Sequence, residues 1–364
     1  DRLYQNDGKG NFSKTMGLLP NDNASGSCVI AKDIDNDGDI DLFVGGYQTP
    51  QQYPKAGKSL LLINENGIFT NKIKTLAPGL EKIGMVKDAV IEDINNDGKN
   101  DIIVVGHWMS VTIFEKTDKT YTNTTQGYGI ADKVGWWNSI QVIDIDGNGT
   151  KDFIVGNLGL NSKHKANLGQ PFKIIAKDFD SNGTNDIALG YYNDNQLYPV
   201  RGLQCSAEQN PDLKQSIRSF SEFGTLTFDE VYNKYDLSDA TKLEATYFQS
   251  AIFVNNNTSF TIKALPNENQ MAPTNQSIAI DIDGKPKILT VGNFHPVEVE
   301  TGRYDAHTGT VLMADNKQVI YNQSNTGFFN DKDARDLDVI VIAGKKHVMV
   351  ANNRDQITFF KILK

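Results

Sequence analysis

The chain has 364 residues, 36 basic and 45 acidic, a formal net charge of −9, and two cysteines, Cys28 and Cys205. The acidic balance excludes a general nucleic-acid binder, which carries a basic patch or stripe. Two thiols in this length exclude a disulfide scaffold and leave open two free thiols or one bridge. No run approaches the ~18 apolar residues of a membrane span.

The chain opens in a strand-like run, Leu3-Tyr4-Gln5-Asn6-Asp7-Gly8, the start of a hairpin that reaches Phe12. With no initiator Met and no signal peptide, it reads as a processed piece of a longer polypeptide that carries other domains. A unit then recurs: an apolar strand, an acidic nine-residue loop, and a strand ending in Gly. Val29-Ile30-Ala31-Lys32 leads into the loop Asp33–Asp41 and then Leu42-Phe43-Val44-Gly45. The second loop, Asp93–Asp101, precedes Ile102-Ile103-Val104-Val105-Gly106; the third, Asp144–Asp152, precedes Phe153-Ile154-Val155-Gly156. Loop starts lie 60 residues apart (33 to 93) and 51 apart (93 to 144), lengths that suit a four-stranded sheet per repeat.

The fourth loop, Asp178–Asp186, follows only 34 residues after the third. That is too soon for another sheet, and places it between the outer two strands of the third. From about 206 to 243 the spacing turns helical, as in Asp212-Leu213-Lys214-Gln215-Ser216-Ile217, and predicts a helical insertion in the ring. Strands resume at Tyr247–Val254. Two worn repeats follow, Ile278–Gly292 and Val339–Asn352, each with its loop shortened to a hairpin turn. The whole, 1–364, is expected to be one all-β domain: a β-propeller of four-stranded blades. Five to seven blades are allowed and six fit best, with the N-terminal hairpin closing the ring against Ile357–Ile362.

Oxygen side chains at loop positions 1, 3, 5 and 9, a Gly at position 6 and a carbonyl at position 7 make a ligand set for Ca²⁺, a hard cation that takes six to eight oxygens. Loop one offers Asp33, Asp35, Asp37, Asp39 and Asp41; loop two Asp93, Asn95, Asp97, Lys99 and Asp101. Loop three offers Asp144, Asp146, Asn148, Thr150 and Asp152; loop four Asp178, Asp180, Asn182, Thr184 and Asp186. An EF-hand is disfavoured, since strands rather than helices flank the loops and no Glu stands at position 12. Without His or Cys, the loops do not suit transition metals. Up to four Ca²⁺ are expected, which would bring the charge from −9 to about −1.

These loops, each followed by a strand ending in Gly, resemble the FG-GAP or VCBS repeats of integrin-α-like propellers. The resemblance extends to secreted bacterial VCBS-repeat proteins, of which this chain looks like the C-terminal part. It takes in Gly156-Asn157-Leu158-Gly159-Leu160-Asn161 and Thr301-Gly302-Arg303-Tyr304-Asp305. It implies an extracytoplasmic propeller, secreted or at the cell surface, with one calcium per intact loop and an adhesion or binding role.

If each loop joins the two innermost strands at one rim, the segments flanking those strands meet at the opposite rim. That gathers Tyr47, His107, Trp108, Trp136, Trp137, Asn157, Asn293, Phe294, His295 and Arg354. Arg303 and Tyr304, with Glu298, Glu300, Asp305 and His307, lie in a loop leaving the same rim. Aromatic faces with Asn, His and Arg suit a sugar or peptide. His164, between Lys163 and Lys165, reads as a basic surface turn, and His347 as part of a hairpin. No G-x-S-x-G, phosphate loop or H-E-x-x-H motif is present, and no catalytic residue is assigned. The reading is a calcium-stabilised binding module for a glycan or surface protein. A carbohydrate-active lyase or hydrolase is the alternative, and a purely structural domain the third.

Overall fold

The computed structural model describes residues 1–21, 24–282, 284–298, 301–313 and 323–363. Asp283 of the first worn repeat and Glu300 of the rim loop lie outside the described residues. The fold is mostly β, in small antiparallel sheets.

Five sheets follow one plan. The first holds Ser25–Lys32, Asp41–Gln48, Leu60–Glu65 and Ile68–Asn71 in that order. The second holds Met85–Glu92, Asp101–Met109, Thr112–Lys116 and Tyr121–Asn123, with Gly135–Trp136 added beside Asp101–Met109. The third holds Ser139–Ile143, Asp152–Gly156, Ala251–Asn255 and Phe260–Ala264. The fourth and fifth have three strands each among the described residues: Thr274–Ile282, Lys285–Gly292 and Thr310–Met313, then Ala334–Ile342, Lys345–Asn352 and Thr358–Lys361. The first strands of successive sheets contact one another, and residues of all five line a common polar channel.

Burial explains the patterning. Second strands are sandwiched between neighbouring sheets and so read as unbroken apolar runs, as in the fully buried Ile102-Ile103-Val104-Val105. Separate cores fill the joints. Phe43, Leu61, Val86 and Phe114 join the first two sheets; Ile103, Ile113, Trp137 and Phe153 join the second and third. Ile154, Ile252, Ile288 and Leu312 join the third and fourth, and Leu289, Val291, Leu337 and Val350 the fourth and fifth. No such core joins the fifth sheet to the first among the described residues. Val29, Val341, Ile342 and Phe359 are exposed instead.

The fourth acidic loop is not in the third sheet. It joins Phe172–Lys177 to Asp186–Asn193 in a separate sheet, ordered Gln196–Pro199, Asp186–Asn193, Phe172–Lys177, Thr241–Ala245. The third sheet bypasses it: Phe153 and Ile154 pair directly with Phe253 and Ile252. The helices belong to this insert. Leu203–Gln209, Asp212–Ser216, Phe220–Phe223 and Phe228–Tyr232 lie between two of its strands, and pack Leu213, Phe223, Phe228 and Val231 around Phe179 and Ala188. The last helix starts at a capping box, Thr227 with Glu230.

Among the described residues the N-terminal strands Tyr4–Asn6 and Phe12–Lys14 pair only with each other, and Thr358–Lys361 pairs only with Lys345–Asn352, so the expected closure against the C-terminal strand is not formed there. The second worn loop is a tight hairpin. Ala343 and Gly344, at φ 49° and 74°, give the two left-handed residues that match strand twist. No helix among the described residues is long and apolar enough to cross a membrane. Cys28 and Cys205 are not bridged.

Candidate functional site

The four acidic loops are near copies in atomic detail. Position 1 accepts the position 6 Gly N–H: Asp33 from Gly38 at 3.1 Å, Asp93 from Gly98 at 2.8 Å, Asp144 from Gly149 at 2.9 Å and Asp178 from Gly183 at 2.7 Å. These glycines have φ of 83–97°, a conformation a Cβ disfavours. Position 3 accepts from the position 5 N–H, and position 5 from the position 7 N–H, in every loop. At position 7 the Thr150 and Thr184 hydroxyls meet Asn148 Oδ1 and Asn182 Oδ1 of their own loops, and three position 7 side chains also reach outside. Asp39 accepts from Asn66, Lys99 pairs with Asp118 and Thr150 donates to the Asn255 carbonyl.

Position 9 does more than the sequence suggested. Asp41, Asp101, Asp152 and Asp186 are buried and accept the position 2 N–H of Ile34, Ile94, Ile145 and Phe179. In the first three sheets the other carboxylate oxygen accepts an N–H from the third strand, of Asn64, Lys116 or Asn255.

The donor chemistry fits a hard cation. Carboxylate oxygens lie within 4.8 Å of one another in Asp33/Asp35/Asp37, Asp144/Asp146/Asp152 and Asp178/Asp180/Asp186. Asp33 Oδ1 is buried without a partner. Burial, with Asp41 and Asp37 close by, raises the Asp35 carboxyl above its ordinary range. An acidic cluster alone does not identify the ion.

At the strand ends away from these loops lies a cavity of about 410 Å³. Its wall includes five residues that the sequence placed there: Tyr47, His107, Trp136, Phe294 and Tyr304. The Tyr47 hydroxyl donates to His107 Nδ1 at 3.0 Å, and His107 Nε2 donates to Asn138 Oδ1 at 3.1 Å. Burial and nearby Lys87 push the imidazole down to about 4, so it is neutral with the proton on Nε2. Trp136 packs against His107, Trp108 and His164. Tyr304 is held by a main-chain bridge to Phe294.

The other rim residues go elsewhere. Trp108 is buried behind the wall and donates its indole N–H to Tyr53 Oη at 2.9 Å. Trp137 is fully buried between the second and third sheets, because it alternates with Trp136. Asn157 and Asn293 are fully buried struts: Asn157 receives the Trp136 N–H and donates to Tyr247 O, and Asn293 exchanges bonds with the His307 main chain. His295, Arg303 and Arg354 line a separate depression with Asp331 and Asp355. Glu298 is tied to Lys163 and Arg201. His164 is no surface turn. It is buried against Phe172, and burial lowers it to about 4.

Sequence reasoning missed Tyr53, Lys87, Asn138, Leu158, Pro273, Asn275 and Arg335, all on the cavity wall. For several of them a signal existed. Ser27, Lys87, Asn138, Asn275 and Arg335 each stand six residues before the loop or turn position of their repeat, at 33, 93, 144, 281 and 341. In four of these first strands the residue is the extra one of a β-bulge, between Gly26/Cys28, Val86/Asp88, Thr274/Gln276 and Ala334/Asp336. A bulge re-aims the side chain it carries.

The sequence profile of the FG-GAP-like repeat matches residues 1–44 and 93–155, so the chain carries FG-GAP-like repeats and a propeller-like arrangement of sheets. No curated protein matches it.

Proposed function

We propose that this chain is a calcium-stabilised, extracytoplasmic β-propeller binding module whose glycan or protein partner seats in the Tyr47–Trp136–Phe294–Tyr304 cavity. The observation that carries the reading is that cavity: aromatic faces from three sheets or their flanking loops, with amide and cationic groups between them. We favour a glycan, because pyranose faces stack on such rings. Each intact loop holds one Ca²⁺, in keeping with the all-oxygen donor sets. The ring has six blades. The N-terminal hairpin, in which Leu3-Tyr4, Asp7-Gly8 and Phe12 echo Leu62-Ile63, Asn66-Gly67 and Phe69, supplies outer strands of the sixth, between the fifth and first sheets.

The enzyme reading ranks second. Glycoside hydrolysis ordinarily needs two carboxylates, and no Asp or Glu lines the described cavity wall. Both His107 nitrogens are already engaged. The test is calorimetric titration against a glycan panel, with Trp136→Ala as control and product analysis of each mixture. Binding lost in the variant without turnover supports the module. Turnover moves the protein to the enzyme class, and no binding by the folded, calcium-loaded protein leaves a structural role.

A further inference from the structure

Resting on that reading of the cavity, we propose that its ligand is an acidic glycan, whose uronate carboxylate is received by Lys87 and Arg335 while Trp136 and the tyrosines hold the sugar faces.

The described wall offers donors and π faces but no carboxylate. Hydroxyls of a neutral sugar both donate and accept and call for no net charge opposite them; a uronate adds a charged acceptor that a cationic wall with no carboxylate satisfies. Lys87 makes no ion pair among the described residues, and its ammonium lies over the Tyr47 ring, 5.1 Å from the centroid. Arg335 lies over the Phe294 ring at 5.1 Å and uses Nη2 on Asp333 at 2.8 Å. Its side chain remains 38 % exposed, leaving guanidinium donors for a ligand. Burial and the Arg335 charge depress Lys87, a cost that an arriving anion relieves.

Asp333 takes one Arg335 nitrogen, and the other nearby acids are bonded elsewhere. Asp88 is bonded to the Ala89 and Ile140 N–H groups, and Asp336 to Leu337 N–H and the Gln276 amide. Both line the adjoining polar channel, which Lys87 and Arg335 also border, rather than the cavity wall. Lys87 and Arg335 occupy the same repeat position, each the bulged residue of a first strand, with Asn138 and Asn275 between them in chain order. The repeat thus delivers one side chain from each of four sheets to the cavity wall, and in two of them that side chain is a cation.

The experiment titrates the calcium-loaded protein with soluble uronate oligosaccharides and with the methyl esters of the same oligosaccharides. The esters keep every sugar face and lose the charge. The expected result is that the acids bind at least ten-fold tighter than the esters. Lys87→Met and Arg335→Gln, checked for an unchanged thermal midpoint, abolish that difference, and Lys87→Arg restores much of it. Equal, Trp136-dependent binding of acid and ester overturns the anion site while leaving the glycan module standing. Lys87-dependent binding of acidic peptides, with no uronate bound, overturns the glycan assignment. Binding of none of these probes by the folded protein removes the proposal, and neutral glycans then decide the broader reading.

Discussion

The Asp152 carboxylate accepts the Ile145 main-chain N–H at 2.8 Å, and its second oxygen accepts the Asn255 N–H at 2.7 Å. One side chain therefore fastens the third loop to two strands, and it is fully buried. Replacing Asp152 with Ala strands two buried donors, each costing about 1–3 kcal/mol. Asp152→Ala is expected to lose about 3 kcal/mol of stability in chelator, and more in calcium, where the ion of the third loop is weakened as well. Urea unfolding in both conditions checks this. A loss confined to calcium would make the residue a metal ligand only.

Calcium should stabilise the native chain by mass action, roughly 2.7 kcal/mol per site at a hundred-fold excess over Kd. Elemental analysis is expected to find up to four ions, and chelation to lower the melting temperature. Asp180→Ala in the inserted sheet should remove one ion and leave the other three. Retention of all four, or no thermal response to chelator, counts against the metal assignment.

Burial holds His107, His164 and His307 each down to about 4, against an ordinary value near 6.5. A depressed histidine binds its proton more readily in the unfolded chain. Its stabilising contribution is therefore complete above pH 6.5 and is lost as pH falls toward 4. NMR titration should find these three rings neutral at pH 5.5, with His107 protonated on Nε2. A midpoint near 6.5 for His107 would show that the ring is not buried in solution.

Gly156 stands where the third sheet meets the fourth. A Cβ there would lie 2.3 Å from the Thr274 carbonyl oxygen, which is main chain and cannot swing aside. Gly156→Ala should cost about 2 kcal/mol or more. Gly202→Ala, with nothing within 4 Å of its Cβ, is the control and should change stability little. Equal midpoints for the two variants would overturn the close approach.

The acidic loops were legible because their geometry is local: each accepting side chain reaches an N–H two to five residues on, or seven back, so spacing alone encodes it. The placement of the fourth loop was not legible. Its sheet is set apart by the pairing of Phe153 with Phe253, a contact with no local trace. At the rim, chain topology correctly gathered Tyr47, His107, Trp136, Phe294 and Tyr304. It could not tell which side of the backbone each residue takes, so Trp137, Asn157 and Asn293 were read as open when they are packed. Lys87 and Arg335 drew no notice in the sequence, since a bulge is a property of two strands compared and not of one.

The insert enters after Gly156 and leaves before Ala251, between two strands that lie side by side. A ribosome building this chain finishes the first two sheets early, but must deliver the insert before the third can accept its outer half. Until then the Asp152–Gly156 strand has one bare edge, and Asp152 lacks the Asn255 amide that completes its bonding. Closing that gap carries the entropy of a long loop unless the insert folds first and draws its own ends together. The helix-bearing sheet thus acts as an internal clamp on assembly, setting when the second half of the molecule can begin to join the first.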